Sequence, residues 1–156
     1  MKAFFISTIV LLSLTLTAYD SSAGLTRASV RASSAAKVAR PVPDAQVLAR
    51  GKQLFKQNCA SCHGDRAQGA PNWEKPGTDG KYPAPPLDGS AHAWHHPRVA
   101  LLKVIKQGTQ KIGGNMPAWQ GKLSDADIDA VIIYFQSLWS DEIYAAWTQI
   151  DARGRR

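Results

Sequence analysis

Only two cysteines occur in this chain, and after the first residue Met116 is its one methionine. So few thiols exclude a small fold stapled by several disulfides. No stretch alternates apolar and polar residues as a half-buried strand would, and no internal repeat recurs. Sheet-based and solenoid architectures are therefore out. Long apolar runs are also scarce. The longest, "AFFISTIVLLSLTLTA" at 3–18, falls short of the about 20 residues a spanning helix needs. Preceded by Lys2 and followed by "SSA" at 21–23, it reads as a secretory signal peptide over 1–23, with the mature chain starting at Gly24. An uncleaved membrane anchor is the less favoured reading. No cysteine stands near the cleavage point, which argues against a lipoprotein. The expected workplace is the periplasm, or at least outside the cytoplasm.

The domain itself also has little net charge. The whole chain carries 19 Lys and Arg against 12 Asp and Glu, a formal +7. Residues 44–150 hold 11 positive and 10 negative side chains and so contribute only +1. The excess sits in the ends: Arg27, Arg31, Lys37 and Arg40 in 24–43, and three Arg with one Asp in 151–156. A basic excess confined to the ends of an exported chain excludes nucleic acid as the expected partner. Weak contact of the leader with an acidic membrane surface or an acidic partner fits better.

The stretch 24–43, "GLTRASVRASSAAKVARPVP", has few bulky apolar residues and reads as a flexible basic leader. Asp44 then caps a helix running into Cys59, with Val47, Leu48, Gly51, Leu54 and Phe55 on one face. From Gly64 to His96 periodicity vanishes, and five Gly and five Pro fall within 33 residues. A loop that long in a compact domain must wrap something. Pro97 opens a second helix with Val99, Leu102, Ile105 and Lys106 along it, and Gly108 stops it. After a second loop, Ser124 caps a helix whose apolar face is Ile128, Val131, Ile132, Phe135 and Leu138. Ser140 caps a last helix over 141–150, leaving 151–156 as a basic tail. The expected fold is all-α, and its helical faces alone are a thin core for a 44–150 domain.

What remains is the motif "NCASCHGD" at 58–65. Cys-x-x-Cys-His attaches c-type haem. Cys59 and Cys62 would add to two vinyl groups of one porphyrin, and His63 would reach the iron from the same turn. A thioredoxin-like dithiol would need a βαβ setting. Zinc would need four ligands, borrowed from His63, His92, His95 or His96. A disulfide across two intervening residues would be strained. Haem therefore leads. Met116, in the Gly/Pro loop "GGNMPAW", is the expected sixth ligand; a lone Met elsewhere would more simply fill a core gap. "HAWHHP" at 92–97 offers haem propionate contacts, helix capping or a second metal site. His95 and His96 are adjacent and should diverge, which weakens a chelate.

In family order, "GKQLFKQNCASCHG", "APPLDG", "NMPAW" and "LSDADIDAVIIYFQSL" resemble the monohaem class I c-type cytochromes over about 45–140. The resemblance implies the cytochrome c fold, three core helices wrapped with long loops around one covalent haem c. The short extra C-terminal helix over 141–150 departs from the family's minimal pattern, as does "HAWHHP". It implies that Gly51 and Phe55 cross the last core helix near Tyr134. It also implies that the Pro85 carbonyl accepts the second N–H of His63 and that Leu87 packs on the haem. Trp119 would lie against the haem edge, or serve as a plain core residue. Tyr144 and Trp147 would pack the extra helix back on the domain, or offer a partner surface.

With His63 and Met116 as axial ligands, no position remains for substrate. The expected function is an electron carrier between periplasmic or membrane redox proteins, not an enzyme. The alternatives are a haem subunit of a larger oxidoreductase, or a catalytic or gas-binding haem protein with a labile sixth ligand.

Overall fold

The computed structural model describes residues 40–155, so the expected signal peptide and most of the leader lie outside the described residues. Within them the fold is all-α. Five helices follow in order: α1 Ala45–Asn58, α2 Ala60–His63, α3 Arg98–Gln107, α4 Asp125–Ser137 and α5 Asp141–Gly154. Single turns of 3-10 helix lie at His92–His95 and Gln110–Ile112. β-type pairing is limited, among the described residues, to the isolated bridges Tyr82–Gly114 and Gln120–Leu123.

Three helix starts are set by the side chains the sequence offers for them. Asp44 accepts from the N–H groups of Gln46 and Val47, Ser124 from Asp127, and Ser140 from Ile143. Each satisfies donors that the first helical turn leaves without an intrahelical partner. The core forms where α1 crosses α4. A Cβ on Gly51 would overlap the Ala130 carbonyl, so only glycine lets the two backbones come this close. One turn on, Phe55 and Tyr134 pack with ring centroids 5.2 Å apart. Phe55, Ile128, Ile132 and Phe135 are fully buried, each contributing about 1.5–3 kcal/mol of apolar burial. α4 is buried on more than one side, taking in Ala130 and Gln136 as well. Helix α3 packs on α4 with Leu101 inside, whereas Val99, expected on the apolar stripe, is 56 % exposed. Both stripes fit a 3.6-residue period; packing against α4 and α5 selects one.

Two expectations about the ends are corrected. The last helix is not short and does not stop at 150. It reaches Gly154, and Asp151 within it is buried. Pro97, at the N-cap of α3, has no side chain with which to cap. The Asp151 carboxylate supplies that cap from across the fold, accepting from the Arg98 N–H at 2.7 Å while pairing with Arg155 at 3.1 Å. Arg98 in turn pairs with Asp129 on α4. Residues 151–154 thus belong to the domain. At the other end, Arg40 is no solvated leader residue. Its guanidinium donates to the carbonyls of Ser137, Trp139 and Ser140 and lies 4.3 Å from the centre of the Tyr144 ring. Ser137 O is at the C-terminal end of α4, where a cation is favoured, and Trp139 and Ser140 lie in the link to α5.

Indole N–H groups tie the long first loop to the helices. Trp139 donates to Leu87 O at 2.8 Å, and Trp147 donates to His96 O at 3.0 Å. Tyr144 and Trp147 pack together with centroids 5.4 Å apart, and Trp147 meets Trp139 at 6.0 Å. α5 therefore packs back on the domain.

Candidate haem site

Helix α1 breaks at Cys59, and α2 restarts immediately as one turn that carries Cys62 and His63. Cys62 N–H donates to Cys59 O at 3.1 Å and His63 N–H to the same carbonyl at 2.9 Å, so both thiols and the imidazole sit on one turn of chain. Both cysteines are free thiols, Cys59 half-buried and Cys62 exposed. Burial, and then the neighbouring Cys62, push the Cys59 thiol up to about 11. Among the described residues no group of three or more His, Cys, Asp or Glu gathers as a metal cluster.

His63 is the buried member of the turn. Its Nδ1 lies 2.8 Å from Pro85 O. A carbonyl can only accept, so Nδ1 carries the proton and Nε2 keeps the lone pair. Burial lowers the proton affinity of the ring, against the smaller opposing effect of the Pro85 bond. The imidazole is held neutral and oriented, which is the form that ligates iron.

The Pro85 carbonyl is placed by the loop around it. Gly69 N–H donates to His63 O at 2.7 Å, Ala70 N–H to Ala84 O at 2.8 Å, and Leu87 N–H to Ala67 O at 2.7 Å. The loop therefore folds back on itself with Gly69 against Pro85 and Pro86. Leu87 packs with Cys59, Leu102 and Ile105 on the apolar core.

Met116 and Trp119 lie in the second loop, both half-buried. Thr109 N–H donates to Met116 O at 2.9 Å, and Met116 N–H donates to Thr109 Oγ1 at 3.1 Å. Trp119 N–H reaches Ile105 O at 3.2 Å. This loop is thus held by the end of α3. It is also joined to the first loop: Tyr82 N–H donates to Gly113 O at 3.0 Å, and Asn115 Nδ2 to Asp79 Oδ2 at 3.3 Å. Thr109, Tyr82, Asp79 and Gly69 were not singled out in the sequence. Only "GTQKIGGNM" offered a signal, a Thr beside a helix-ending Gly.

The "HAWHHP" imidazoles behave in part as expected. His95 turns onto Trp94, with centroids 3.9 Å apart. His96 instead faces His92. Burial, then the charges of His92 and His95, lower the proton affinity of His96.

The donor set fits haem c. It comprises two free thiols, a neutral imidazole whose one N–H is engaged by a carbonyl, and a thioether in a loop bonded to the loop that holds that imidazole. Residues 46–135 match the family described as cytochrome c oxidase, cbb3-type, subunit III. The chain belongs to this family. It is a c-type cytochrome and an electron-transfer haem protein with the all-α cytochrome c fold. It is similar to the cbb3-type cytochrome c oxidase subunit CcoP of Azospirillum sp. (strain B510), 38 % identical over 61 % of this chain and 30 % of the relative. The FixP subunit of Bradyrhizobium diazoefficiens is 33 % identical over 58 % of this chain and 27 % of the relative. Cytochrome c6 of Cladophora glomerata is 36 % identical over 58 % of this chain and 88 % of the relative. The chain thus spans only about a third of the length of the oxidase subunits it matches. No solved structure matches it.

Proposed function

We propose that this chain is the electron-relaying haem subunit of a larger oxidoreductase of the cytochrome c oxidase kind, acting on the periplasmic side of a membrane. Among the described residues no helix is long and apolar enough to cross that membrane. The observation that carries the relay role is the buried His63 ring held by Pro85 O at 2.8 Å. The likeness to oxidase subunits supports the assembly. It favours a fixed subunit over a freely diffusing carrier, which was the first expectation.

When bound, one haem c supplies a one-electron couple. Cys59 and Cys62 would hold it covalently, which would keep it from being lost outside the cell. His63 would ligate through Nε2, and the Pro85 bond would keep that nitrogen aimed and basic. Met116 would provide a thioether ligand, whose softness would favour the reduced state and raise the potential. Leu87, Leu102 and Ile105, packed on the apolar core, would help keep water from the group. Trp119 closes the second loop near Met116. With both remaining iron ligands supplied by His63 and Met116, the chain would pass electrons to and from redox proteins and turn over no substrate itself.

A second reading, a diffusing carrier, is favoured by one observation: the match covers 88 % of a cytochrome c6. Detergent-solubilised native membranes distinguish the two. Haem staining should find this chain co-migrating with an oxidase-sized complex; recovery only at monomer mass in the soluble fraction would establish the carrier. Ready carbon monoxide binding by the reduced protein would overturn Met116 ligation and favour a gas-binding role.

A further inference from the structure

The "HAWHHP" segment is held rigidly but its imidazoles are spare. Ala93 is buried, Trp147 donates to His96 O at 3.0 Å, and His96 N–H bonds Ala93 O at 3.3 Å. Pro97, next in the chain, fills the space a Cβ on Gly154 would need. The backbone from His92 to Pro97 is thus anchored to α5. The three histidines are nevertheless exposed. His92 lies 5.5 Å from Trp73 on one side and 5.7 Å from His96 on the other, and the two imidazole planes are 83° apart.

We propose that His92 and His96 form a surface site for a divalent transition-metal ion, distinct from the haem ligands. Metal–nitrogen bonds of about 2.0–2.1 Å place the centroids of two imidazoles sharing one ion about 5 Å apart. The observed 5.7 Å needs only a small closure, within the reach of side-chain torsions. Adjacent histidines diverge, as His95 does. The pair four residues apart converges because the 3-10 turn ends at His95 and His96 continues in extended backbone, with φ −104° and ψ 131°. Fixing that backbone through Trp147 and Pro97 removes most of the ordering cost of binding. Imidazole selects copper and zinc over magnesium and calcium, which take oxygen ligands. With two protein ligands the ion keeps water in its other positions and binds more weakly than in a closed four-ligand site.

Zinc is the probe of choice, because it does not exchange electrons with the haem. Isothermal titration of holoprotein with ZnCl2 in a non-coordinating buffer should show one ion per chain, and MgCl2 should give no heat. His92→Ala and His96→Ala should each weaken zinc binding by at least about tenfold, with His92→Gln and His96→Gln matching them. His95→Ala should leave it unchanged. An unaltered visible spectrum in every variant shows that the fold and haem are intact. Absence of zinc binding, unchanged affinity in both the His92 and His96 variants, or an equal loss in His95→Ala would overturn the assignment.

Discussion

Gly69 is the position where backbone freedom and the placement of His63 meet, and replacing it with Ala tests both. Its φ is +78°, a region that costs an L-residue about 1–2 kcal/mol. A Cβ there would stand 2.5 Å from Pro86 N, 2.6 Å from Pro86 Cδ and 2.8 Å from the Pro85 carbonyl carbon. Reaching an ordinary 3.4 Å requires a separation of 0.6 Å (3.4 − 2.8) to 0.9 Å (3.4 − 2.5). Neither side yields easily. Gly69 is bonded to His63 O, and the atoms it would strike are backbone and ring. Overpacking of this kind costs about 1–3 kcal/mol, so Gly69→Ala should lose about 2–5 kcal/mol in all. For a domain of this size that lowers Tm by about 8–20 °C. The natural control is Gly80→Ala, where φ is +73° but no atom lies within 4 Å. It carries the backbone cost alone and should fall by about 4–8 °C. Melts of the oxidised holoprotein by far-UV circular dichroism give both numbers. Exchange of the His63 ring N–H, followed by NMR, reports whether the Pro85 bond has loosened. If Gly69→Ala melts no lower than Gly80→Ala and protects the ring proton equally well, the close packing of Gly69 on Pro85 and Pro86 does not hold His63.

Asp151→Ala should strip α3 of its cap and lower stability by about 1–2 kcal/mol, whereas Asp151→Asn, which keeps an accepting oxygen, should retain most of it; equal melts for all three proteins would return 151–154 to the status of a tail. Met116→Ala should erase the weak far-red band of iron–thioether bonding in the oxidised protein, admit carbon monoxide to the reduced protein and lower the potential. Met116→His should restore a saturated low-spin spectrum at a potential below the parent's, and an unaltered spectrum in Met116→Ala would hand the sixth position to another residue.

What the sequence made legible was local. Asp44, Ser124 and Ser140 announce their helices because a cap and the N–H that donates to it lie within three residues of each other. Cys59, Cys62 and His63 announce haem because their spacing is itself the chemistry. The crossing of Gly51 and Phe55 over Tyr134 was legible through family likeness, as was the Pro85 partner of His63. The illegible parts depend on partners far along the chain. Nothing around Asp151 tells that its carboxylate serves a helix whose own N-cap is a proline 54 residues earlier. An acidic residue beside arginines reads as solvated until Arg98 is seen beside it. Arg40 looked like leader for the same reason, since its acceptors lie about a hundred residues away. His92 and His96 were judged by the divergence of the adjacent pair, and the change from 3-10 to extended backbone that brings them together has no signature in composition.

The loop contacts explain how a chain with few helical core residues can hold a haem firmly. Each of the two proposed ligands, His63 and Met116, stands on a segment braced twice. His63 is fixed through its ring by Pro85, and through its carbonyl by the Gly69 N–H. Met116 is fixed through its N–H and its carbonyl, both by Thr109. The two braces are then joined where Tyr82 meets Gly113 and Asp79 meets Asn115. An iron site that changes charge while its ligands stay in place has little to reorganise. Such a site can pass an electron quickly over a short-lived or a permanent contact alike. The same bracing therefore serves a fixed subunit and a mobile carrier, and the choice between them rests on what meets the outer surface. α5 is where this chain invests beyond the 46–135 family match. Its Trp147 and Asp151 point inward to hold His96 O and the start of α3. The helix thus stiffens the wall behind the first loop.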